Sequence, residues 1–379
     1  MRVKSINEAI EHVTGLTVLV RASLNVPVDA GRVMNPFRLQ AALSTISLLS
    51  AHGAKVVLLS HINGEPQASL RPVFEYLQKM IALQFVDDVV GTRAVAAVRA
   101  LKNGDILLLE NIRRESGEVS NDDHFTRRLA ALGDVFVNDD FAAAHRAHAS
   151  IVGLPKYLPS YAGVQFASEV DGLSHALTPK SPSLAILGGA KFVTKEPLIR
   201  ELLNKYDQVF VGGALSTDFF KAKGYVVGKS LVSDSPHIKD LLTNSKIVLP
   251  VDVTVEGVHG AEVKAPNELL ASDTIYDVGP QTLALLKPSI EKARTVLWNG
   301  PMGNFERGYS QMTEELARIV AGAPGVSVVG GGDTIASIEK LGLNKQFEFL
   351  STAGGAMLDF LAHGTVPGIE ALEKAKTLA

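Results

Sequence analysis

The 379-residue chain contains no cysteine. That excludes disulfides, thiolate catalysis and cysteine-based zinc sites, and it suits a reducing compartment. No charge of one sign dominates. The net charge is −3, so nothing draws the chain as a whole to nucleic acid or to an anionic membrane, and an anionic ligand would need local clusters of arginine and lysine. Long apolar runs are missing. Those present, such as 56–59 and 106–109, are strand-sized, so no membrane span is expected. The opening MRVKSINEAIEHV lacks the apolar stretch of a signal peptide. Two phosphate-loop patterns are also missing, GxxxxGK[ST] and GxGxxG. The second absence disfavours a nicotinamide-dependent dehydrogenase. The expectation is a soluble, cytoplasmic protein.

What is there is a chain with a sizeable core. Hydrophobic residues make up 46% and charged residues 20%, which argues against disorder, and the length suggests two domains. Continuous apolar runs at 17–21, 55–60, 105–109 and 135–138 read as a first set of strands. A second set reads at 183–187, 208–212, 246–250, 295–298, 326–329 and 347–350. Such runs suit parallel strands buried on both faces. Stretches of helical length and spacing lie between them, at 35–52, 195–205, 281–294, 311–322 and 334–341. This alternation predicts an α/β doubly wound architecture. The two sets are separated by 155–183, a proline-bearing stretch that includes one predicted helix over 164–176. The domain boundary is placed there, with that helix as connector.

In the second half, glycines gather at predicted strand ends: Gly188–Gly189, Gly212–Gly213, Gly330–Gly332 and Gly354–Gly355. Open α/β sheets bind ligands at such ends. In 184–191, LAILGGAK, a strand runs into a glycine pair and then Lys191 at a helix start. Backbone can approach a phosphate closely there, and the helix terminus and the lysine add positive charge. Alone, the segment reads more readily as a tight strand–helix turn with a solvated lysine than as a phosphate site. A second strand leads into Gly330-Gly331-Gly332-Asp333-Thr334. Asp333 could hold the magnesium that travels with a nucleotide, or Asp333 and Thr334 could simply cap the helix. The turn-rich 298–306, WNGPMGNFE, ends in Glu306, a candidate for ribose hydroxyls or an ordinary surface carboxylate.

The first half places basic residues at strand ends instead: Arg21, His61, Arg113 and the run His145-Arg146-Ala147-His148, with Arg38 at the start of a helix. Parallel topology would bring these ends to one edge. Arginine forks match phosphate and carboxylate oxygens in bidentate fashion. Each arginine taken singly reads as a surface residue; the shared placement carries the argument. The spacing of His145 and His148 could suggest a metal, but no third ligand is evident and an arginine lies between them.

Taken together, these segments resemble phosphoglycerate kinase, in order and over nearly the whole chain. They include Arg21-x-x-x-Asn-Val-Pro27, the turn 60–66, LENIR at 109–113, GDVFVND at 133–139, AHRAH at 144–148, LGGAK at 187–191, LPVD at 249–252, Gly279-Pro280, WNGP at 298–301, GGGDT at 330–334, Ser351-Thr352 and VPGIEAL at 366–372. The resemblance implies two similar-sized, doubly wound, parallel-sheet (Rossmann-like) α/β domains joined by a helix hinge. Residues 1–163, with the tail 366–379, would bind 3-phosphoglycerate or 1,3-bisphosphoglycerate. Residues 164–365 would bind ATP or ADP with Mg²⁺, and hinge closure would bring the reactants together. A monomer with no nucleic-acid or membrane partner is expected. The implied substrate residues are Arg21, Ser23, Asn25, Arg38, His61, Arg113 and Arg146. Arg38 and Lys191 would flank the transferred phosphoryl, joined by backbone amides near Gly332, Gly354 and Gly355. Gly189, Lys195, Gly213, Asn299, Pro301, Glu306, Gly331, Gly332, Asp333 and Thr334 would hold the nucleotide, with Asp333 on the metal.

Three positions depart from the pattern. Ser23 stands where the family has an aspartate for the substrate hydroxyl. In place of Ser-His-Leu-Gly-Arg-Pro the chain reads Ser60-His-Ile-Asn-Gly-Glu-Pro66, one residue longer, with Glu65 where a phosphate-binding arginine is expected. Ala353 replaces a glycine, a strained choice if its φ is positive and a neutral one otherwise. Either Arg71 or Arg114 substitutes for the missing arginine, or the substrate site is weakened. The competing reading is a nucleotide-binding homologue with an altered acyl-phosphate site.

Overall fold

The computed structural model describes residues 3–63, 67–233, 235, 238–258 and 260–378. Contacts divide the chain into two compact units, Met1–Asp171 with Thr365–Ala379, and Gly172–Gly364.

In the first unit, β1 (Thr17–Ala22) leads to a hairpin of β2 (Val28–Asp29) and β3 (Arg32–Val33), then α1 (Phe37–Ala51) and β4 (Lys55–Leu59). There follow α2 (Arg71–Leu77), β5 (Gln84–Val86), α3 (Thr92–Ala100), β6 (Ile106–Leu109), α4 (Ser116–Val119), α5 (Asp123–Ala130), β7 (Val135–Asp139) and β8 (Ser160–Ala162). Six strands form one sheet in the order β5-β6-β4-β1-β7-β8, every pairing parallel. Strands β6 and β7 are buried at every residue, which is why they read as unbroken apolar runs rather than alternating ones. Helices cover both faces, and Leu19, Val57 and Phe136 pack on one face while Val18, Val56 and Val137 pack on the other.

Helix α6 (Val164–Leu177) contains the division between the units. The second unit continues with β9 (Ser183–Leu187), α7 (Phe192–Lys205), β10 (Gln208–Val211), α8 (Leu215–Ala222), α9 (Ile238–Leu242) and β11 (Ile247–Val248). Next come β12 (Val253–Gly257), β13 (Gly260–Lys264), β14 (Thr274–Val278), α10 (Pro280–Lys292), β15 (Thr295–Asn299), α11 (Gln311–Ala321), β16 (Val326–Gly330), α12 (Gly332–Lys340), β17 (Phe349–Ser351) and α13 (Gly355–His363). Its parallel sheet has the order β11-β10-β9-β15-β16-β17, beside a three-stranded sheet, β13-β12-β14. The last helix, α14 (Pro367–Lys374), belongs to the first unit. Gly368 N–H donates to Ala144 O at 2.8 Å, and a Cβ on Gly368 would lie 2.9 Å from that of Ala144. Glycine there lets the helix sit directly behind the His145–His148 run.

The edges of both sheets differ from the sequence expectation. Strands at 246–250 and 347–350 shorten to β11 and β17, each paired on one side only. β5, β8 and the antiparallel sheet were not expected. In β12, Val253 and Val255 are buried while Thr254 and Glu256 are not, an alternation with period two that a search for continuous apolar runs passes over.

Candidate active site

In the first unit the basic residues gather at the C-terminal ends of β1, β4, β6 and β7. Arg21 closes β1 and is fully buried. Its guanidinium donates to Asp140 Oδ2 at 2.8 Å, Ser150 Oγ at 2.9 Å and Ala22 O at 3.1 Å, and its Nη2 lies 2.7 Å from His61 Nδ1. Ser150 is held by buried Glu118, which accepts from Ser150 Oγ at 2.6 Å and from its N–H at 2.9 Å. Burial pushes the Glu118 carboxyl up, against the pull of Arg21 and these hydrogen bonds. The structure therefore places Arg21 behind His61, fastened on the protein side.

Arginine has no acceptor, so His61 Nδ1 must accept and the neutral ring carries its proton on Nε2. Burial first, then the charges of Arg21, Arg113 and Arg146, push the His61 pKa far below its ordinary value. His148 falls to about 4 for the same reasons, with Arg113 the foremost charge. Arg113 is lowered to about 10 by burial, then by Arg146 and Arg21. This mutual effect is what guanidinium groups crowded on one partly buried edge produce, and Glu118 and Asp140 offset it only in part.

Asn25 and Arg38 are joined by a 3.2 Å bond from Arg38 Nη1 to Asn25 O. Ser23 is buried. Arg146 Nε donates to His145 Nε2 at 3.3 Å. One residue that the sequence reading did not single out ties this edge together: Asn63 donates its N–H to Asn25 Oδ1 at 3.0 Å and accepts from Arg113 Nη1 at its own Oδ1. Its only signal in the sequence is its place in the atypical turn after β4. Glu65 lies outside the described residues. Neither suggested substitute arginine stands ready. Arg114 is engaged by Asp87 and Glu110, both at 3.1 Å, and by the carbonyls of Gln67 and Ala68. Arg71 lies over the Phe85 ring, 4.9 Å from its centroid.

In the second unit the glycine turns interlock. Gly189 N–H donates to Pro301 O at 2.7 Å. A Cβ at Gly213 would sit 2.6 Å from Gly189 N, and one at Gly188 would sit 2.2 Å from Pro301 O. Lys195, on the first turn of α7, is buried and donates Nζ to Gly188 O at 2.6 Å; burial lowers its pKa to about 8. Lys191 is the N-cap of α7, exposed, with φ 64° and ψ 64°. A non-glycine residue in the left-handed region stores backbone strain, a mark of functional turns. Gly331 precedes α12 at φ 106° and Gly354 precedes α13 at φ 56°. Gly332 and Gly355 begin those helices. Ala353 is not among the described side-chain-bearing residues with positive φ, which are Ala30, Asn121 and Lys191. Its replacement of glycine is therefore unstrained.

A cavity of about 480 Å³ opens beside these turns, and its wall includes Gly189, Gly213, Pro301, Glu306 and Asp333. Lys191, Lys195, Asn299, Gly331, Gly332, Thr334, Gly354 and Gly355 are not in that wall. Buried Asn299 donates Nδ2 to Met357 Sδ at 3.6 Å. The Thr334 hydroxyl is buried without a partner among the described residues. Among the wall residues that were not anticipated are Tyr276 and Asp277. Tyr276 stacks on Tyr309 at 4.9 Å between centroids. Asp277 accepts from Val278 N and Met312 N, and burial raises its pKa to about 7. Both precede the Gly279-Pro280 turn at the end of β14, part of the sheet whose alternation went unread. Among the described residues no group of three or more His, Cys, Asp or Glu could hold a metal, and no helix is long and apolar enough to cross a membrane.

Comparison with known proteins agrees over nearly the whole chain. A family model described as phosphoglycerate kinase matches residues 7–364. A phosphoglycerate kinase of Moorella thermoacetica is 43% identical over 378 residues, 94% of this chain and 95% of its own. One from Coprothermobacter proteolyticus is 42% identical over 392 residues, covering 98% and 99%. The solved phosphoglycerate kinase of Coxiella burnetii aligns with a TM-score of 0.81 at 38% identity, covering 96% of each chain. That of Pyrococcus horikoshii aligns at 0.87 and 29% identity, covering 95% and 96%. With two parallel-sheet units, a cationic strand-end edge on one and a glycine-walled cavity on the other, the chain belongs to the phosphoglycerate kinase family.

Proposed function

We propose that the chain catalyses reversible phosphoryl transfer between 1,3-bisphosphoglycerate and ADP, giving 3-phosphoglycerate and ATP. The domain of residues 1–163 and 366–379 takes the three-carbon acid, and that of residues 164–365 takes the nucleotide. In the direction of acyl-phosphate synthesis, a carboxylate oxygen of 3-phosphoglycerate attacks the γ-phosphorus. The bond from that phosphorus to the β–γ bridging oxygen breaks, and ADP leaves. The attacking carboxylate is already ionised, so no general base is needed. Catalysis then rests on positioning and on cations facing the charge spread over the transferred group. Arg38 and Lys191 have that role, helped by amides near Gly332, Gly354 and Gly355. Asn25, His61, Arg113 and Arg146 hold the acid, with Ser23 near its hydroxyl and Arg21 supporting His61. Gly189, Gly213, Pro301 and Glu306 shape the nucleotide pocket; Lys195, Asn299, Gly331 and Thr334 complete it around the phosphates.

Asp333, in the cavity wall, is the carboxylate that would hold Mg²⁺. A lone carboxylate fits a magnesium that arrives with nucleotide phosphates and keeps its waters, rather than one caged by protein. The metal would neutralise charge between the phosphates. Direct transfer needs the reacting oxygens in near contact, so the reading includes a closing motion during turnover. It also takes the enzyme as monomeric and cytoplasmic, which the absence of cysteine suits.

The observation that carries the reading is Arg113, whose buried Nε and Nη2 have no partner among the described residues. A buried cationic fork left open beside a neutral histidine donor is an oxyanion site. Calorimetric titration of the full chain with 3-phosphoglycerate, and separately with ADP and Mg²⁺, is expected to give one site for each. Binding of nucleotide with none of the acid at millimolar concentration would reject it.

A further inference from the structure

The turn after β4 departs from the family pattern by its length and by Glu65, yet it also brings an amide to the site. The sheet order β6-β4-β1 places that turn between the chain segments leaving β6 and β1. Arg113 lies just beyond β6 and Asn25 just beyond β1, and Asn63 touches both. Its Oδ1 accepts from Arg113 Nη1, and its N–H donates to Asn25 Oδ1 at 3.0 Å. Each bond fixes what the partner has left. With Nη1 held, Arg113 keeps its Nε–Nη2 edge, the side whose two parallel N–H groups match a carboxylate or phosphate in bidentate fashion. With Oδ1 held by the Asn63 backbone N–H, the Asn25 amide is fixed as an acceptor on that side, leaving its Nδ2 group to donate elsewhere.

We infer that Asn63 is a positioning residue for the three-carbon anion: its side chain aims the free edge of Arg113 at it, while its backbone N–H, which any residue there would supply, ties down Asn25. The inference rests on the functional reading above and deepens it at the same site. It gives the altered turn a constructive part: where the expected arginine is replaced by Glu65, the chain orders cations it already has instead of adding one. An oriented guanidinium loses less freedom on binding than a mobile one. Asn63 is exposed and packs in no core, so its substitution leaves the fold intact.

The test is steady-state kinetics of the full chain with Asn63→Ala. The KM for 3-phosphoglycerate is expected to rise about tenfold, the size of one weakened charge-assisted hydrogen bond. The KM for ATP, kcat and the melting temperature stay within error of the parent. Asn63→Gln, which keeps an amide acceptor, is expected to recover part of the loss. A KM for the acid unchanged within twofold in Asn63→Ala overturns the inference. So does an equal rise in the KM for ATP, as general loosening would give, or no recovery by Asn63→Gln. If the parent chain itself does not turn over 3-phosphoglycerate, the functional reading falls and the inference with it. Parent turnover with an indifferent Asn63→Ala sinks the inference alone.

Discussion

Arg21 and His61 meet through a 2.7 Å contact between Nη2 and Nδ1, both side chains buried. The arginine can only donate, so the histidine can only accept there, and the imidazole is left with a single outward N–H on Nε2. Burial and three neighbouring guanidinium groups hold it neutral. The site thus pairs a cationic edge with a neutral donor whose tautomer is set from behind.

The imidazole should keep that form across the physiological range. Nitrogen-detected NMR of the apo protein is expected to show Nε2 protonated and Nδ1 bare from pH 5.5 to 8. His61→Ala should raise the KM for 3-phosphoglycerate at least tenfold. His61→Gln, able to accept from Arg21 and to donate outward, should lose less. A ring that titrates near 6.5 would contradict the arrangement.

The engaged arginines should be silent. Arg114 is neutralised by Asp87 and Glu110, and Arg71 covers Phe85, so Arg71→Ala and Arg114→Ala are expected to leave the KM for 3-phosphoglycerate within twofold. Glu65→Arg adds a cation in the turn and should lower that KM, by up to about tenfold for one charge-assisted bond. No change on restoring arginine would mean that no phosphate subsite is short of a ligand.

Gly213→Ala should disrupt the nucleotide pocket. Its φ is +58°, and the new Cβ would lie 2.6 Å from Gly189 N and 2.9 Å from Gly189 O, backbone atoms that cannot swing aside. A loss of about 2 kcal/mol in stability is expected from overpacking and backbone strain, together with weaker ADP binding. Thermal denaturation and ADP titration check both. Ala353→Gly, by contrast, relieves no positive-φ strain and should leave nucleotide binding unchanged.

Two buried groups give stability opposite pH dependences. His61 has a lowered pKa: below about pH 6.5 the unfolded chain takes up a proton that the native site refuses, so stability falls as pH drops. Asp277 is raised to about 7: between about pH 4 and 7 the native carboxyl holds a proton that the unfolded chain releases, so its contribution falls as pH rises. Denaturant melts of the parent and Asp277→Asn should show the parent losing ground to the variant by about 2 kcal/mol between pH 5 and 7, with no further change above pH 8. A pH-independent difference would place the Asp277 carboxyl at its ordinary value.

The sequence made the parallel cores legible because strands buried on both faces leave unbroken runs such as Ile106–Leu109 and Ser183–Leu187. It made the glycine turns legible because close approach of Gly213 to Gly189 demands glycine. Edge strands left little trace: β5 has three residues and no fully buried one. The role of Asn63 was hidden for a different reason. It depends on which strands are neighbours, and only the order β6-β4-β1 places that turn between Asn25 and Arg113. Asp277 escaped notice because its burial, not its sequence context, makes it unusual. Arg21 was legible as a strand-end arginine, but that it faces Asp140 and Ser150 required the packing.

The most direct measurement is a coupled assay of the full chain with ATP, Mg²⁺ and 3-phosphoglycerate, following acyl-phosphate formation. Saturable turnover in both substrates is predicted, abolished to below a hundredth by Arg38→Ala or Lys191→Ala, with ADP binding retained in the Arg38 variant. Binding of nucleotide without turnover of 3-phosphoglycerate in the unaltered chain would contradict the account.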